Sequence, residues 1–111
     1  MASVADVMAL GYTLHTSPSQ VDTLFHEVYA GDLLSVVLRS AKTADCLITV
    51  LANLNVLAVA VLLDMKVIII SECEELHPTL IERANQEELV VLSTPKKSVE
   101  IIVELVRNHL L

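Results

Sequence analysis

Three short apolar runs constrain the fold of this 111-residue chain more than any other feature. They are Cys46–Leu51, Lys66–Ile70 and Leu89–Leu92, and each is rich in branched aliphatic residues without regular alternation of apolar and polar positions. Such runs are typical of strands buried on both faces of a parallel sheet. The sequence therefore predicts neighbouring parallel strands at the centre of the fold.

A helical pattern follows each of these predicted strands. The segment Leu54–Leu63 contains few polar residues, which favours a helix that is buried on nearly all sides. Pro78 is well placed as a first helical residue, ahead of an apolar side. A last helix begins near Ser98, and its predicted inner side consists of Val99, Ile102, Val103 and Val106. This alternation predicts an α/β fold, a three-layer sandwich with a mainly parallel sheet and helices on both faces.

The N-terminal part adds shorter elements. Ser3 can cap a short helix through about Leu10, and Gly11 suits the left-handed stop that follows it. Tyr12–Thr16 and Leu24–Ala30 are extended stretches. We place both at a sheet edge or in a small hairpin.

One further helix precedes the first buried strand. Asp32 is predicted to be its N-cap, and apolar residues recur at three- and four-residue spacing through about Lys42. No linker, repeat or low-complexity tract divides the chain. We therefore treat residues 1–111 as a single domain.

Composition excludes several kinds of partner. The net charge is −7, there is no Trp, and only 7 Lys and Arg are present, which argues against nucleic acid and anionic membranes. The longest unbroken apolar run, Val56–Leu63, is far shorter than the roughly 20 residues of a membrane span. We expect a cytoplasmic protein in which Cys46 and Cys73 stay reduced at opposite ends of neighbouring strands.

The hydrophobic content points to self-association. At 54% before glycine is counted, it exceeds the roughly 45–50% usual for a globular domain with glycine included. A chain this small has proportionally little interior in which to bury the excess. We therefore predict a homodimer whose interface covers part of the surplus.

Catalytic motifs are missing. The two glycines, Gly11 and Gly31, cannot form a phosphate-binding loop, and the four histidines are scattered without nucleophile-elbow sequences. The sequence predicts no enzyme activity and no cofactor. Cys73, Glu74, Glu75 and His77 are reasonable metal ligands within one loop, but their spacing matches no established site. We therefore predict no metal and interpret the segment as an acidic solvated loop whose Cys73 packs against the strand end.

Polar residues follow the predicted buried strands. Ligands of open parallel sheets bind beyond the carboxyl ends of the strands. The predicted ligand-binding residues there are Thr49, Asn53, Asn55, Ser71, Glu72, Ser93 and Thr94. The alternative is that Asn53, Ser71 and Thr94 cap helices and hold turns.

Five stretches of the chain resemble the DRTGG domain family, from about Gly11 to Leu110. They are Gly31-Asp-Leu-Leu-Ser-Val-Val-Leu38, Leu47-Ile-Thr-Val50, Asn55-Val-Leu-Ala-Val-Ala-Val-Leu-Leu-Asp64, Ile68-Ile-Ile-Ser-Glu72 and Val91-Leu-Ser-Thr94. The resemblance implies a fold like the N-terminal domain of HPr kinase. Related domains are accessory parts of phosphotransacetylases, or stand beside CBS domains in regulatory pyrophosphatases.

The motif that names the family is replaced in this chain. Its Asp-Arg pair falls on Ala52-Asn53, and its Thr-Gly-Gly falls on Ser71-Glu72-Cys73. The arginine charge and the backbone access of glycine are thereby lost. The version beginning at Asn55 resembles stand-alone DRTGG proteins encoded near iron-only hydrogenases.

Two functional hypotheses follow. The first is a non-catalytic regulatory or ligand-sensing module that binds a small molecule at the strand ends. The second is a protein-interaction or accessory subunit, such as one of a redox or hydrogenase-linked system, without a small ligand. A formed pocket at the strand ends favours the first hypothesis, whereas a filled strand end with an apolar patch elsewhere favours the second.

Overall fold

A five-stranded mixed sheet lies between two layers of helices in the computed structural model, which describes residues 1–111. The strands are β1 (Ala2–Ser3), β2 (Thr13–Leu14), β3 (Leu24–Phe25), β4 (Val28–Ala30), β5 (Cys46–Thr49), β6 (Val67–Ile70) and β7 (Val90–Ser93). The helices are α1 (Val4–Met8), α2 (Leu34–Ser40), α3 (Leu54–Leu62), α4 (Pro78–Gln86) and α5 (Ser98–Arg107), with a 3-10 turn at Pro18–Gln20. The predicted three-layer α/β sandwich is confirmed.

The order of the strands in the sheet explains the two helical layers. The order is β2-β7-β6-β5-β4, and β4 to β7 are parallel neighbours in chain order. Right-handed crossovers therefore place α2, α3 and α4 on one face. The chain then passes to the other face, where α5 packs beside α1 in a second core.

The three predicted central strands are buried on both faces. All residues of β5, β6 and β7 are buried. Successive side chains alternate between the layers, so that Leu47 and Ile68 join the core under α2 to α4, while Ile48 and Ile69 join the core under α1 and α5. This two-sided burial accounts for the unalternating apolar runs.

The N-terminal extended stretches lie at opposite edges of the sheet, so the hairpin alternative is wrong. β2 pairs antiparallel with β7, whereas β4 pairs parallel with β5 as a fourth parallel strand. The stretch Leu24–Ala30 is divided because Asp45 accepts hydrogen bonds from the amides of His26 and Glu27 at 2.9–3.0 Å. Its first part, β3, pairs instead with β1.

The predicted N-caps are confirmed at one helix and wrong at another. Ser3 forms a capping box with Asp6 at the start of α1, which ends at Met8. Asp32 does not cap α2. The N-cap of this helix is Leu33, whose side chain makes no capping hydrogen bond. The Asp32 carboxylate is instead directed to the end of β5.

Two helices are more exposed than the sequence predicts. In α5 the buried residues are Ile101 and Leu105, while the predicted inner residues Val99, Val103 and Val106 face outward and Ile102 is half-buried. The apolar residues of α5 form two stripes, and the sheet covers one. Likewise α3 exposes Leu54, Val61 and Leu62 along its outer side. No helix has the length and hydropathy needed to cross a bilayer.

Three helices end with a left-handed residue that is not glycine. Asp64, Glu88 and His109 follow α3, α4 and α5 with φ of +58°, +57° and +59°. In each case the next amide donates to a carbonyl five residues earlier at 2.9 Å, as in a Schellman ending. A side chain at such a position costs conformational energy that glycine avoids.

Replacement of Glu88 by glycine is therefore expected to stabilise the protein. Glycine relieves the strain of the left-handed backbone, and this gain exceeds the cost of a more flexible unfolded chain. We expect the free energy of unfolding to rise by about 0.5–1 kcal/mol. Urea denaturation measures this as a higher midpoint. Glu82→Gly, an exposed position inside α4, is the matched control and should cost about 1 kcal/mol. Equal destabilisation by both variants would contradict the argument.

Candidate functional site

Four buried hydroxyl side chains lie at the carboxyl ends of β5, β6 and β7. They belong to Thr49, Ser71, Ser93 and Thr94, which are 0%, 0%, 1% and 3% exposed. Elsewhere in the chain the one other buried polar residue is Thr16. The predicted polar strand ends thus hold a cluster of four buried hydroxyl residues, of which Thr49 and Ser93 face the layer of α2 to α4 and Ser71 and Thr94 face the layer of α5.

The connections after β6 and β7 diverge at this edge. The first leads to α4 on one face of the sheet and the second to α5 on the other, an arrangement that opens a crevice in many α/β proteins. In this chain the crevice is closed. The amide of Glu72 donates to the carbonyl of Lys96 at 2.9 Å, and the amide of Cys73 donates to that of Thr94 at 3.0 Å.

The buried hydroxyls are hydrogen-bonded within the chain. Thr49 donates to the carboxylate of Asp32 at 2.8 Å, and Ser71 accepts from Ser98 at 3.2 Å. The Thr94 hydroxyl accepts from the amide of Lys96 at 3.3 Å. These bonds hold the turns after the strands, and none of the four surface cavities is lined by Thr49, Ser71, Ser93 or Thr94.

A histidine that the sequence analysis did not select joins the cluster. The Nε2 atom of His15 lies 2.6 Å from the Oγ atom of Ser93, which also lies 3.4 Å from the carbonyl oxygen of Glu74. Burial lowers the pKa of His15. The imidazole makes no hydrogen bond to a carboxylate, so the pair lacks the third group that orients a catalytic histidine. Pairing of β2 with β7, which sequence cannot specify, brings the two residues together.

The remaining predicted site residues lie around this cluster. Asn53 caps α3, its Oδ1 accepting from the amide of Val56 at 3.1 Å. Asn55 is exposed and lines a groove between α3 and α4. Glu72 is exposed with φ +53°, a backbone suited to the glycine that the DRTGG motif places there. Of the seven predicted residues, four are thus buried at the strand ends and three are exposed around them.

The loop after β6 does not assemble a metal site. Cys73 donates from its thiol to the carbonyl of Glu75 at 3.2 Å, and burial raises its pKa. His77 is the N-cap of α4, and its Nδ1 accepts from the amide of Thr79 at 3.1 Å. No three His, Cys, Asp or Glu side chains gather to hold an ion.

Negative charge dominates this edge of the sheet. Its exposed carboxylates belong to Asp32, Glu72, Glu74 and Glu75. Of the two nearby lysines, Lys97 is exposed, whereas Lys96 contacts both oxygens of Glu104 at 2.7 Å. Burial opposes ionisation of Glu104, but hydrogen bonds from Lys96 and Tyr12 prevail and lower its pKa.

The larger concavities lie on the helical faces. A groove of about 550 Å³ runs between α3 and α4. Its lining residues are Leu54, Asn55, Leu57, Ala58, Val61, Leu62, Arg83 and Glu87. A second groove, of about 420 Å³, lies along α5. The two largest grooves are therefore separate from the polar strand ends, although Val50 and Leu33 are exposed beside these ends.

Comparisons with known proteins identify a structural relative. No protein-family model matches the sequence, and no curated protein matches it. A solved structure that matches is the crystal structure of the CBS and DRTGG domains of the regulatory region of Clostridium perfringens pyrophosphatase, complexed with the activator diadenosine tetraphosphate. The TM-score is 0.69 over 86% of this chain, at 14% sequence identity.

This likeness shows a shared fold. The match spans 41% of the length of the pyrophosphatase chain, so it concerns part of that regulatory region. The matched structure contains a DRTGG domain, in agreement with the resemblance of the sequence to that family. A DRTGG-like fold is therefore supported by two independent observations.

Loss of the Thr49 hydroxyl tests how firmly the strand ends are held. Thr49→Val keeps the shape of the buried side chain but removes its bond to Asp32. We expect a loss of about 1–2 kcal/mol in the free energy of unfolding, measured by urea denaturation. Thr79→Val, on the exposed start of α4, should change it by less than about 0.5 kcal/mol. Equal effects would argue against a role for the Thr49 bond.

The lowered pKa of His15 predicts a pH dependence of stability. The unfolded chain, with an ordinary histidine pKa of about 6.5, takes up a proton at higher pH than the folded protein. The contribution of His15 to the free energy of unfolding is therefore constant above about pH 6.5. Below that value the free energy of unfolding falls as the pH drops toward the folded-state pKa.

Urea denaturation between about pH 7 and pH 5 measures this slope. His15→Gln should reduce it, while Thr13→Ala, an exposed change on the same strand, should preserve it. An unchanged slope in His15→Gln would mean that the imidazole titrates alike in the folded and unfolded states.

Proposed function

We propose that this chain is a non-catalytic regulatory module that responds to a small ligand at the carboxyl ends of β5, β6 and β7. The observation that carries the proposal is the presence of four buried hydroxyl residues at three adjacent strand ends. Because these strand ends are filled, which by itself favours an interaction function, ligand binding requires the loop 71–77 to open. Buried polar groups that do not belong to a helix or strand ladder are costly unless hydrogen-bonded. The fold shared with part of a pyrophosphatase regulatory region supports the same class of function.

A ligand would enter by displacing the loop 71–77. Opening the loop breaks the two backbone bonds that Glu72 and Cys73 donate, at 2.9 and 3.0 Å. The side-chain bonds of the loop are longer, at 3.2 Å between Ser71 and Ser98 and 3.4 Å between Ser93 and the Glu74 carbonyl. A ligand that supplies its own donors and acceptors replaces them without leaving a hydroxyl unpaired. Because the loop leads into α4 and Ser98 begins α5, its opening shifts both helical layers.

The charge of this edge defines the ligand class. Three exposed carboxylates lie on the loop and that of Asp32 lies beside it, whereas one of the two lysines is already paired with Glu104. A polyphosphate would therefore meet repulsion here. We infer a small, uncharged or cationic molecule with several hydrogen-bonding groups. In this respect the chain differs from the pyrophosphatase region that was crystallised with diadenosine tetraphosphate.

A thermal-shift screen tests this proposal. Nucleosides represent uncharged ligands, polyamines represent cationic ligands, and diadenosine tetraphosphate with ATP represents anionic ligands. A ligand at a hundredfold its dissociation constant adds about 2.7 kcal/mol of stability, which raises the melting temperature visibly. We expect a shift from an uncharged or cationic compound that is lost in Ser71→Ala and retained in Ser35→Ala, an exposed serine of α2.

The other outcomes are decisive as well. A shift from the anionic compounds alone would overturn the inferred ligand class. A shift that survives Ser71→Ala would move the site away from the strand ends. The absence of any shift would remove the small-ligand proposal and leave the second candidate function.

The second candidate is an interaction or accessory subunit. It is favoured by the filled strand ends and by the outer side of α3, where Leu54, Val61 and Leu62 are exposed beside the 550 Å³ groove. The helix carries no charged residue. An apolar helix of another protein is the partner that such a groove fits, and the resemblance of the sequence implies a hydrogenase-linked or other redox system as its context.

Site-specific photo-cross-linking distinguishes this candidate. A cross-linking residue at position 62, on α3, should form a defined covalent product in cells of the native host. The same residue at position 39, an exposed position on α2, should not. Equal labelling at both positions would indicate nonspecific contact and count against the interaction function.

A further inference from the structure

An apolar stripe on α5 has no cover within the chain. Val99, Val103 and Val106 are 64%, 42% and 52% exposed. They follow one another at four- and three-residue spacing, so they lie on one side of the helix. The opposite side, with Ile101 and Leu105, is fully buried against the sheet. The exposed valines are therefore additional to what the fold requires.

Two opposite charges flank this stripe on the same side. Glu100 and Arg107 both line the groove along α5, and a separation of seven residues places them two turns apart, about 10 Å along the axis. Arg107 forms no ion pair within the chain. Glu100 accepts the amide of Lys97 through Oε1, at 3.0 Å, which leaves its second oxygen available.

We propose that a second copy of this chain covers the stripe, with the two α5 helices antiparallel about a twofold axis. The midpoint between Glu100 and Arg107 falls beside Val103. An axis through that point sets Val103 against its own symmetry mate and Glu100 opposite the partner's Arg107, twice. The charge pattern is self-complementary in this orientation, and a parallel pair would juxtapose like charges.

The surface available suits a moderate interface. The chain exposes 5949 Å², and a patch of roughly a tenth of that, the share usual for specific interfaces, buries about 1,200 Å² in the pair. This buried area lies at the lower end of the range for specific protein–protein interfaces. We expect a dissociation constant on the order of micromolar. The net charge of −7 opposes association elsewhere on the surface, which makes a locally balanced patch the favourable place.

A charge-exchange experiment tests this arrangement by sedimentation velocity. Glu100→Lys and Arg107→Glu should each weaken self-association roughly tenfold or more, because both interface pairs become repulsive in a homodimer. An equimolar mixture of the two variants should form a heterodimer with restored affinity, since it regains two attractive pairs. That recovery also shows that both variants are folded.

Two controls isolate the α5 face. Arg39→Glu makes the same charge change in the last turn of α2 and should leave the dissociation constant within about twofold. Leu62→Glu places a charge on the α3 face and should do the same. The proposal is overturned if the wild-type protein is monomeric, if the α5 variants associate like wild type, or if their mixture fails to dimerise. It is also overturned if the dimer is lost in Leu62→Glu but kept in the α5 variants.

Discussion

Two-sided burial of β5, β6 and β7 is the constraint on which the rest of the structure depends. Their aliphatic side chains are withdrawn from water alternately into two cores, and each contributes roughly 1.5–3 kcal/mol. A sheet buried on both faces requires helices on both faces. Because the strands follow one another in chain order, three helices share one layer, while α5 and α1 form the other.

The same burial explains why the polar side chains at the strand ends are hydrogen-bonded within the protein. Each strand must leave the core at its carboxyl end, and there the chain places hydroxyls that find partners in neighbouring turns rather than in water. These bonds hold the turns at the strand ends. We propose that a ligand of matching polarity replaces them, and the exposed carboxylates at this edge would disfavour an anionic one.

The surplus of apolar residues has a specific distribution. Six of the eleven exposed large hydrophobic residues lie on the outer sides of α3 and α5, which belong to opposite layers. The two sides differ in electrostatics: α3 is uncharged, whereas α5 carries a self-complementary pair at Glu100 and Arg107. This difference is the reason that we propose a second copy of the chain as the partner of α5 and a different protein as the partner of α3.

The sequence by itself determined the strand–helix alternation, the parallel central strands, the Ser3 and Asn53 caps and the polar strand ends, because these depend on periodicity and on local hydrogen bonds. It did not determine which stripe of α5 faces the sheet, since both stripes are apolar. It also could not indicate that Asp32 bonds to Thr49 instead of capping α2, or that His15 meets Ser93 from a strand 78 residues away. Strand pairing and helix packing determine the orientation of α5 and the contacts of Asp32 and His15. Contacts between segments that are distant in the sequence form only when the sheet assembles.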